Sequence, residues 1–141
     1  MSVSEYCVRK VVTARPEETV RTAAQRMARH EVGALVITED TKPVGIVTDR
    51  DLVLRVLAKG DDPQTVALRT VMTTSLVCVP ETTALEEAAA RMRTYHIRRL
   101  VVVNAAGELV GIFALDDMLE LVGEYQETLV NLMHVACRHW K

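Results

Sequence analysis

Aromatic residues are scarce, with one Trp, one Phe and three Tyr in 141 residues. So few rings cannot supply the run of stacking platforms that single-stranded nucleic acid needs. Charge of one sign is lacking too, since 17 Lys and Arg face 19 Asp and Glu. That balance gives no general electrostatic footprint for nucleic acid or an anionic membrane surface, so any positive site must be local. No apolar run approaches the roughly 18 residues of a membrane span, and Met1–Lys10 lacks the charged-then-apolar order of a signal peptide. The expectation is a protein of the cytoplasm with no membrane and no nucleic-acid partner. Cysteine is limited to Cys7, Cys78 and Cys137, an odd and widely spaced set unlike that of a disulfide-stapled secreted domain, so reduced thiols are expected. No Ser, His or Cys sits in a recognisable nucleophile setting. The carboxylate pairs Asp49/Asp51 and Asp116/Asp117 read as helix-start residues, and the balance is against an enzyme.

What is present is an apolar share of 49%, ample for a packed core, and a duplication. PEETVRTAAQRMARHEVGALVITEDTKPVGIVTDRDLV is repeated as PETTALEEAAARMRTYHIRRLVVVNAAGELVGIFALDDML, pairing Pro16 with Pro80, Met27 with Met92, Leu35 with Leu100, Gly45 with Gly111 and Asp51 with Asp117. Val20, Ala23, Ala24 and Met27, and in the second copy Leu85, Ala88, Ala89 and Met92, recur at helical spacing. Two β-rich runs follow, Ala34–Thr38 and Val44–Thr48, matched by Leu100–Asn104 and Leu109–Phe113. A second helix starts near Asp49 or Leu115, and a short strand precedes each proline, at Val11–Ala14 and Leu76–Val79. The fold class expected is α/β (α+β), built from tandem β-α-β-β-α units: a first repeat over 8–59, a linker over 60–70, a second repeat over 71–120 and a C-terminal helix over 121–141. In the linker, Gly60 suits a helix end, and Asp62-Pro63 suits the start of a short helix running to about Arg69. A lone unit of about 60 residues buries a smaller share of its surface than a fused pair does. The two sheets are therefore expected to pack face to face, with a pseudo-two-fold seam as the place for a ligand.

Gly45-Ile46-Val47-Thr48-Asp49-Arg50-Asp51 is a strand ending in a hydroxyl residue and turning into a helix with a carboxylate three positions on. A helix N-terminus offers amides and positive dipole to a phosphate, the Thr48 hydroxyl adds a donor, and the Asp51 carboxylate can accept both hydroxyls of a ribose diol. Thr48-x-x-Asp51 is equally the pattern of a capping box, in which both side chains satisfy the helix's own amides. Spacing alone does not choose between them.

The whole repeat, with GALVI and GIVTDRDLV in one copy and RRLVVV and GIFALDDML in the other, resembles the CBS-domain pair, or Bateman module, over about residues 8–120. The resemblance implies a regulatory module, not a catalyst, that requires no cofactor and binds an adenosine compound (AMP, ADP, ATP or S-adenosylmethionine) as its regulatory ligand. The signature G-x-x-[ST]-x-x-[DN] falls on Gly45, Thr48 and Asp51, implying Thr48 for phosphate and Asp51 for ribose, with Val47 in the strand between. Ala14, Arg15, Gly33, Ala34 and Leu35 would flank the adenine by the same resemblance. The second copy keeps Gly111 and Asp117, with Val79 and Leu100 at matching strand positions, but Ala114 occupies the hydroxyl slot and removes a phosphate donor. Val36 and Val101 stand where the family often has proline. Arg98 and Arg99 match Gly33 and Ala34, and since adjacent strand residues face opposite ways, one at most, with Arg99 preferred, faces a ligand. Such pairs often join as homodimers, and a separate protein target is also expected.

Val122, Tyr125, Leu129, Leu132, Val135, Ala136 and Trp140 form an apolar stripe on the final helix that needs cover, within the chain or from a second subunit. His134, Cys137 and His139 do not all share a helix face, and no metal site is assigned to them. Two alternatives to ligand sensing remain: a ligand-independent dimeric interaction module, and a redox or metal sensor using these residues or Cys7 and Cys78.

Overall fold

A computed structural model of the chain describes residues 1–122. Along the chain run β1 (Thr13–Ala14), α1 (Val20–His30), β2 (Ala34–Glu39), β3 (Lys42–Thr48), α2 (Asp49–Leu52), α3 (Leu68–Val71), β4 (Cys78–Pro80), α4 (Leu85–Tyr95), β5 (Arg99–Val103), β6 (Leu109–Ala114) and α5 (Leu115–Val122). Two three-stranded sheets form, ordered β1-β2-β3 and β4-β5-β6. The repeat is therefore structural, and the mixed α and β fold class is as expected from sequence.

Each first helix is placed by its buried stripe. In α1, Val20, Ala23 and Met27 are buried, and in α4 Leu85, Ala88 and Met92 are. Ala24, grouped with that stripe by spacing, is exposed, because its neighbour Ala23 already fills the narrow contact line. Thr19 caps α1 by accepting from the Thr22 amide at 3.2 Å, and Glu31 ends the helix in the left-handed region at φ 53. In β2, Leu35, Val36 and Ile37 are consecutive and fully buried. That run, rather than an alternating one, is what a central strand covered on both faces requires. Here β1 pairs parallel on one side, Ala14 opposite Ile37, and β3 antiparallel on the other. The short strands before the prolines are briefer than their β-rich runs, at Thr13–Ala14 and Cys78–Pro80.

The chain divides into two compact units that are interleaved in sequence. Among the described residues, one contains Lys10–Val77 with Ala105–Leu109, and the other contains Met1–Arg9, Cys78–Asn104 and 110–122. In the first unit, Val66–Thr73 runs beside the start of α1 and then along β3. The Val20 amide donates to Val66 O at 3.0 Å, Leu68 N–H donates to Glu18 O at 2.9 Å, and Thr73 and Ile46 exchange both backbone bonds at 2.9 and 3.0 Å. In the second unit, Met1–Val8 does the same. Leu85 N–H donates to Met1 O at 3.3 Å, Val3 N–H donates to Thr83 O at 2.8 Å, and Val8 and Ile112 exchange bonds at 2.9 and 3.0 Å. Met1 and Val66 stand as far apart in sequence as Val20 and Leu85, so the duplication includes these segments. Val3 is fully buried, which ties the segment down.

This pairing corrects one expectation. The linker helix does not run from Pro63 to Arg69. Asp62 nucleates a turn, accepting from Gln64 N–H through its side chain and from Thr65 N–H through its carbonyl, and the chain then extends past Val66 and Ala67 before the single turn α3. Pairing with the first amides of α1 is worth more there than continuing a helix, since those amides have no partner within their own helix.

Candidate functional site

In the first unit the strand–helix junction is built by local hydrogen bonds. The Asp49 amide donates to Gly33 O at 2.9 Å, and Ala34 pairs with Thr48 across the sheet, so the start of β2 and the end of β3 arrive at one place. Thr48 is extended, at φ −108 and ψ 162, and forms a reciprocal box: Asp51 N–H donates to Thr48 Oγ1 at 3.1 Å, and Thr48 N–H donates to Asp51 Oδ2 at 2.9 Å. The capping geometry is thus realised. It leaves chemistry over, because a hydroxyl that accepts through a lone pair keeps its own hydrogen to donate, and a carboxylate has about four acceptor positions. The second carboxylate oxygen, Oδ1, stands 3.3 Å from Arg55 Nη2, and the Asp51 side chain is 18% exposed.

Ala14 ends β1, buried, and Arg15 follows it, exposed. Their corner is braced by Glu18, which accepts the Arg15 amide at 2.8 Å and a two-pronged bond from Arg26 at 2.8 Å on each prong, while Arg26 also donates to Thr13 O at 2.9 Å. The Arg26 hydrogen bonds hold the Glu18 carboxyl below its ordinary range. Leu35 and Val47 face each other and are fully buried, so their side chains belong to the core and only their backbone borders the junction. Gly45 is enclosed: a Cβ there would stand 2.6 Å from Met72 Sδ and 3.2 Å from Thr73 O, so this glycine admits the Val66–Thr73 segment against β3.

The second unit repeats the arrangement with less. Leu115 N–H donates to Arg98 O at 2.8 Å, and Ala114 N–H donates to Asp117 Oδ2 at 2.7 Å, which is the box without its hydroxyl half. Gly111 lies under Cys7 and Val8, with a would-be Cβ 2.7 Å from Cys7 Sγ. Val79 and Leu100 are fully buried. Arg99 opens β5 half-buried, and Arg98 stands 3.7 Å from Asp116.

Of the sulfur and histidine candidates, Cys7 and Cys78 are free thiols, and burial pushes both up from their ordinary value. That favours the protonated, unreactive form. Among the described residues no cluster of three or more His, Cys, Asp or Glu is placed to hold a metal ion. His134, Cys137, His139 and the apolar stripe beyond Val122 lie outside the described residues. No helix among the described residues is long and apolar enough to cross a membrane.

Glu18, Arg26 and Arg55 are the residues that sequence reading overlooked. Arg55 had one available signal, its i,i+4 spacing from Asp51 on a helix. Glu18 and Arg26 meet across a strand–helix corner, where no fixed spacing announces a pair.

Comparison with known proteins gives concordant matches. The family model of the CBS domain matches twice, over residues 3–58 and 68–124. An uncharacterized protein of Methanopyrus kandleri is 38% identical over 122 residues, which are 86% of this chain, and the chain spans 62% of that protein's length. A CBS domain-containing protein of Bacillus subtilis is 40% identical over 117 residues, covering 83% of this chain and 82% of its own. Among solved structures, a CBS domain protein from Pyrobaculum aerophilum complexed with AMP superimposes with a TM-score of 0.78 at 29% identity, over 97% of this chain and 99% of that one.

Proposed function

The chain belongs to the CBS-domain family, in two tandem copies, and on that premise we propose that it is a regulatory module whose first repeat binds an adenine nucleotide. The ligand class is AMP, ADP, ATP or S-adenosylmethionine. Thr48 donates its hydroxyl hydrogen to a phosphate oxygen, and Asp51 accepts from the ribose diol. Ala14, Arg15, Gly33, Ala34 and Leu35 border the base, and Gly45 and Val47 shape the strand beneath. The observation that carries the reading is the Thr48–Asp51 junction, intact in a chain that matches an AMP-complexed relative over nearly its whole length. Ala114 leaves the second repeat, with Val79, Leu100, Gly111 and Asp117, the weaker site. Binding shifts the protein between states only through a difference in affinity for them, which is how a module without chemistry of its own regulates a second copy or a cytoplasmic protein target.

A second reading, a ligand-independent dimerisation module, draws on Val53, Leu54 and Leu57, which are 50%, 49% and 63% exposed. Calorimetric titration separates the two. Wild type is expected to take up one of the four ligands, and Asp51→Asn, which keeps an acceptor for the Thr48 amide, to bind it at least tenfold more weakly with its melting temperature nearly unchanged. No heat from any of the four at millimolar concentration overturns nucleotide binding and leaves the dimerisation module.

A further inference from the structure

The helix begun by α2 does not continue as an α-helix. Val53–Leu57 forms a π turn, with the Ala58 amide donating to Val53 O at 2.8 Å. A π turn is rare and is found frequently at functional sites. Within it lies Arg55, half-buried. Its guanidinium serves three acceptors at once. Nη1 donates to Val71 O at 2.7 Å and to Thr73 Oγ1 at 3.1 Å, and Nη2 stands 3.3 Å from Asp51 Oδ1.

The guanidinium is planar and rigid, so its two ends cannot reorient independently. Thr73 is itself paired with Ile46 on β3, two residues before Thr48, and the Thr48 amide donates to the other oxygen of Asp51. A closed circuit results: Asp51, Thr48, β3, Ile46, Thr73, Arg55 and Asp51 again. The segment it grips, Val71–Thr73, leads along the chain into β4.

We infer that Arg55 is a positioning residue for the diol-binding carboxylate, holding Asp51 in its accepting orientation and coupling occupancy of that carboxylate to the Val71–Thr73 segment. The inference rests on the nucleotide reading above. A ligand diol that engages Asp51 Oδ1 donates to the lone pair that Arg55 leaves open, and so shifts the oxygen that Arg55 faces. The rigid fork transmits that movement to Val71 O and Thr73 Oγ1.

The test titrates the full chain with AMP and with 2′-deoxy-AMP, and follows amide hydrogen exchange at Ile46 and Thr73 with and without AMP. Wild type is expected to favour AMP by about tenfold, the usual worth of a hydrogen bond to a charged acceptor, and to show AMP-dependent exchange at both amides. Arg55→Met, of similar length and uncharged, is expected to lose most of the AMP preference and all of the AMP-dependent exchange. Arg55→Lys keeps the charge without the fork, and is expected to recover AMP affinity but not the exchange response. Thr73→Val removes one anchor only and decides the matter should Arg55→Met fail to fold, since it too is expected to lose the exchange response. A wild-type preference and response in Arg55→Met, or in Thr73→Val where the former does not fold, overturns the role of Arg55 even if both ligands bind more weakly. Absence of AMP binding in wild type overturns the nucleotide reading itself, and equal binding of the two nucleotides overturns the role of Asp51 toward the diol.

Discussion

Replacing Gly45 by alanine sets a methyl group into space already taken. The new Cβ would lie 2.6 Å from Met72 Sδ, 3.0 Å from Met72 Cγ and 3.2 Å from the carbonyl oxygen of Thr73. Thioether carbons can swing aside, but the Thr73 carbonyl is held by the Ile46 amide and moves only with the segment. Overpacking of this kind costs about 1–3 kcal/mol. With a urea slope near 2 kcal/mol per molar, a 2 kcal/mol loss lowers the unfolding midpoint by about 1 M. Met72→Ala removes two of the three crowded atoms, so the double variant is expected to lose much less than the two single losses added. Gly111→Ala differs in kind: its Cβ would meet Cys7 Sγ at 2.7 Å and Val8 O at 3.1 Å, and a short cysteine cannot swing clear. There the expected outcome is release of Met1–Val8, seen as faster hydrogen exchange at Val8 and Ile112. The assay is urea unfolding followed by circular dichroism, with exchange measured alongside. Additive losses in the Gly45→Ala/Met72→Ala pair, or an unchanged midpoint in Gly45→Ala, would refute the view that these glycines exist to admit the neighbouring segments.

Two further outcomes follow from single groups. Glu18 is held below its ordinary 4.5 by the Arg26 hydrogen bonds. A depressed folded-state value means that the pair stabilises the fold fully above 4.5 and loses this as pH falls through the folded-state pKa. Urea midpoints of Glu18→Gln are therefore expected to lie below wild type at neutral pH and to converge with it in acid, and parallel pH profiles would contradict the assignment. Glu31 occupies the left-handed region at φ 53, and Glu31→Gly is expected to raise stability by about 0.5–1 kcal/mol in the same assay; a loss would show that the strain is not there.

Much of this architecture is legible in the residues, for identifiable reasons. The start of α2 at Asp49 and of α5 at Leu115 is announced by a strand running into a hydroxyl or carboxylate. The β2 and β5 cores stand out as apolar runs, Leu35–Ile37 and Leu100–Val102. Met1–Val8 is harder to place, since MSVSEYCV and VALRTVMT share a packing role with no identical residue at matching positions. Backbone pairing, one fully buried apolar side chain (Val3 or Leu68) and one small residue opposite, Gly111 or Gly45, define that role. What the two glycines accommodate is remote in sequence, so this packing role is not visible in the motif that contains them. Arg55 is hidden in part for the same reason: its backbone and hydroxyl anchors, Val71 and Thr73, are 16 and 18 residues away. Thr48 and Asp51 are plain in sequence, and the capping box that the structure forms there uses the hydroxyl as an acceptor, which does not consume its own hydrogen.

The central claim, that the first repeat takes the nucleotide, is tested most directly by titrating isotopically labelled protein with AMP and following backbone amide shifts. The account predicts saturating shifts at Ala14, Arg15, Gly33–Leu35 and Thr48–Asp51, with much smaller ones at Ala114–Asp117. Shifts confined to Ala114–Asp117, or none anywhere, would contradict it.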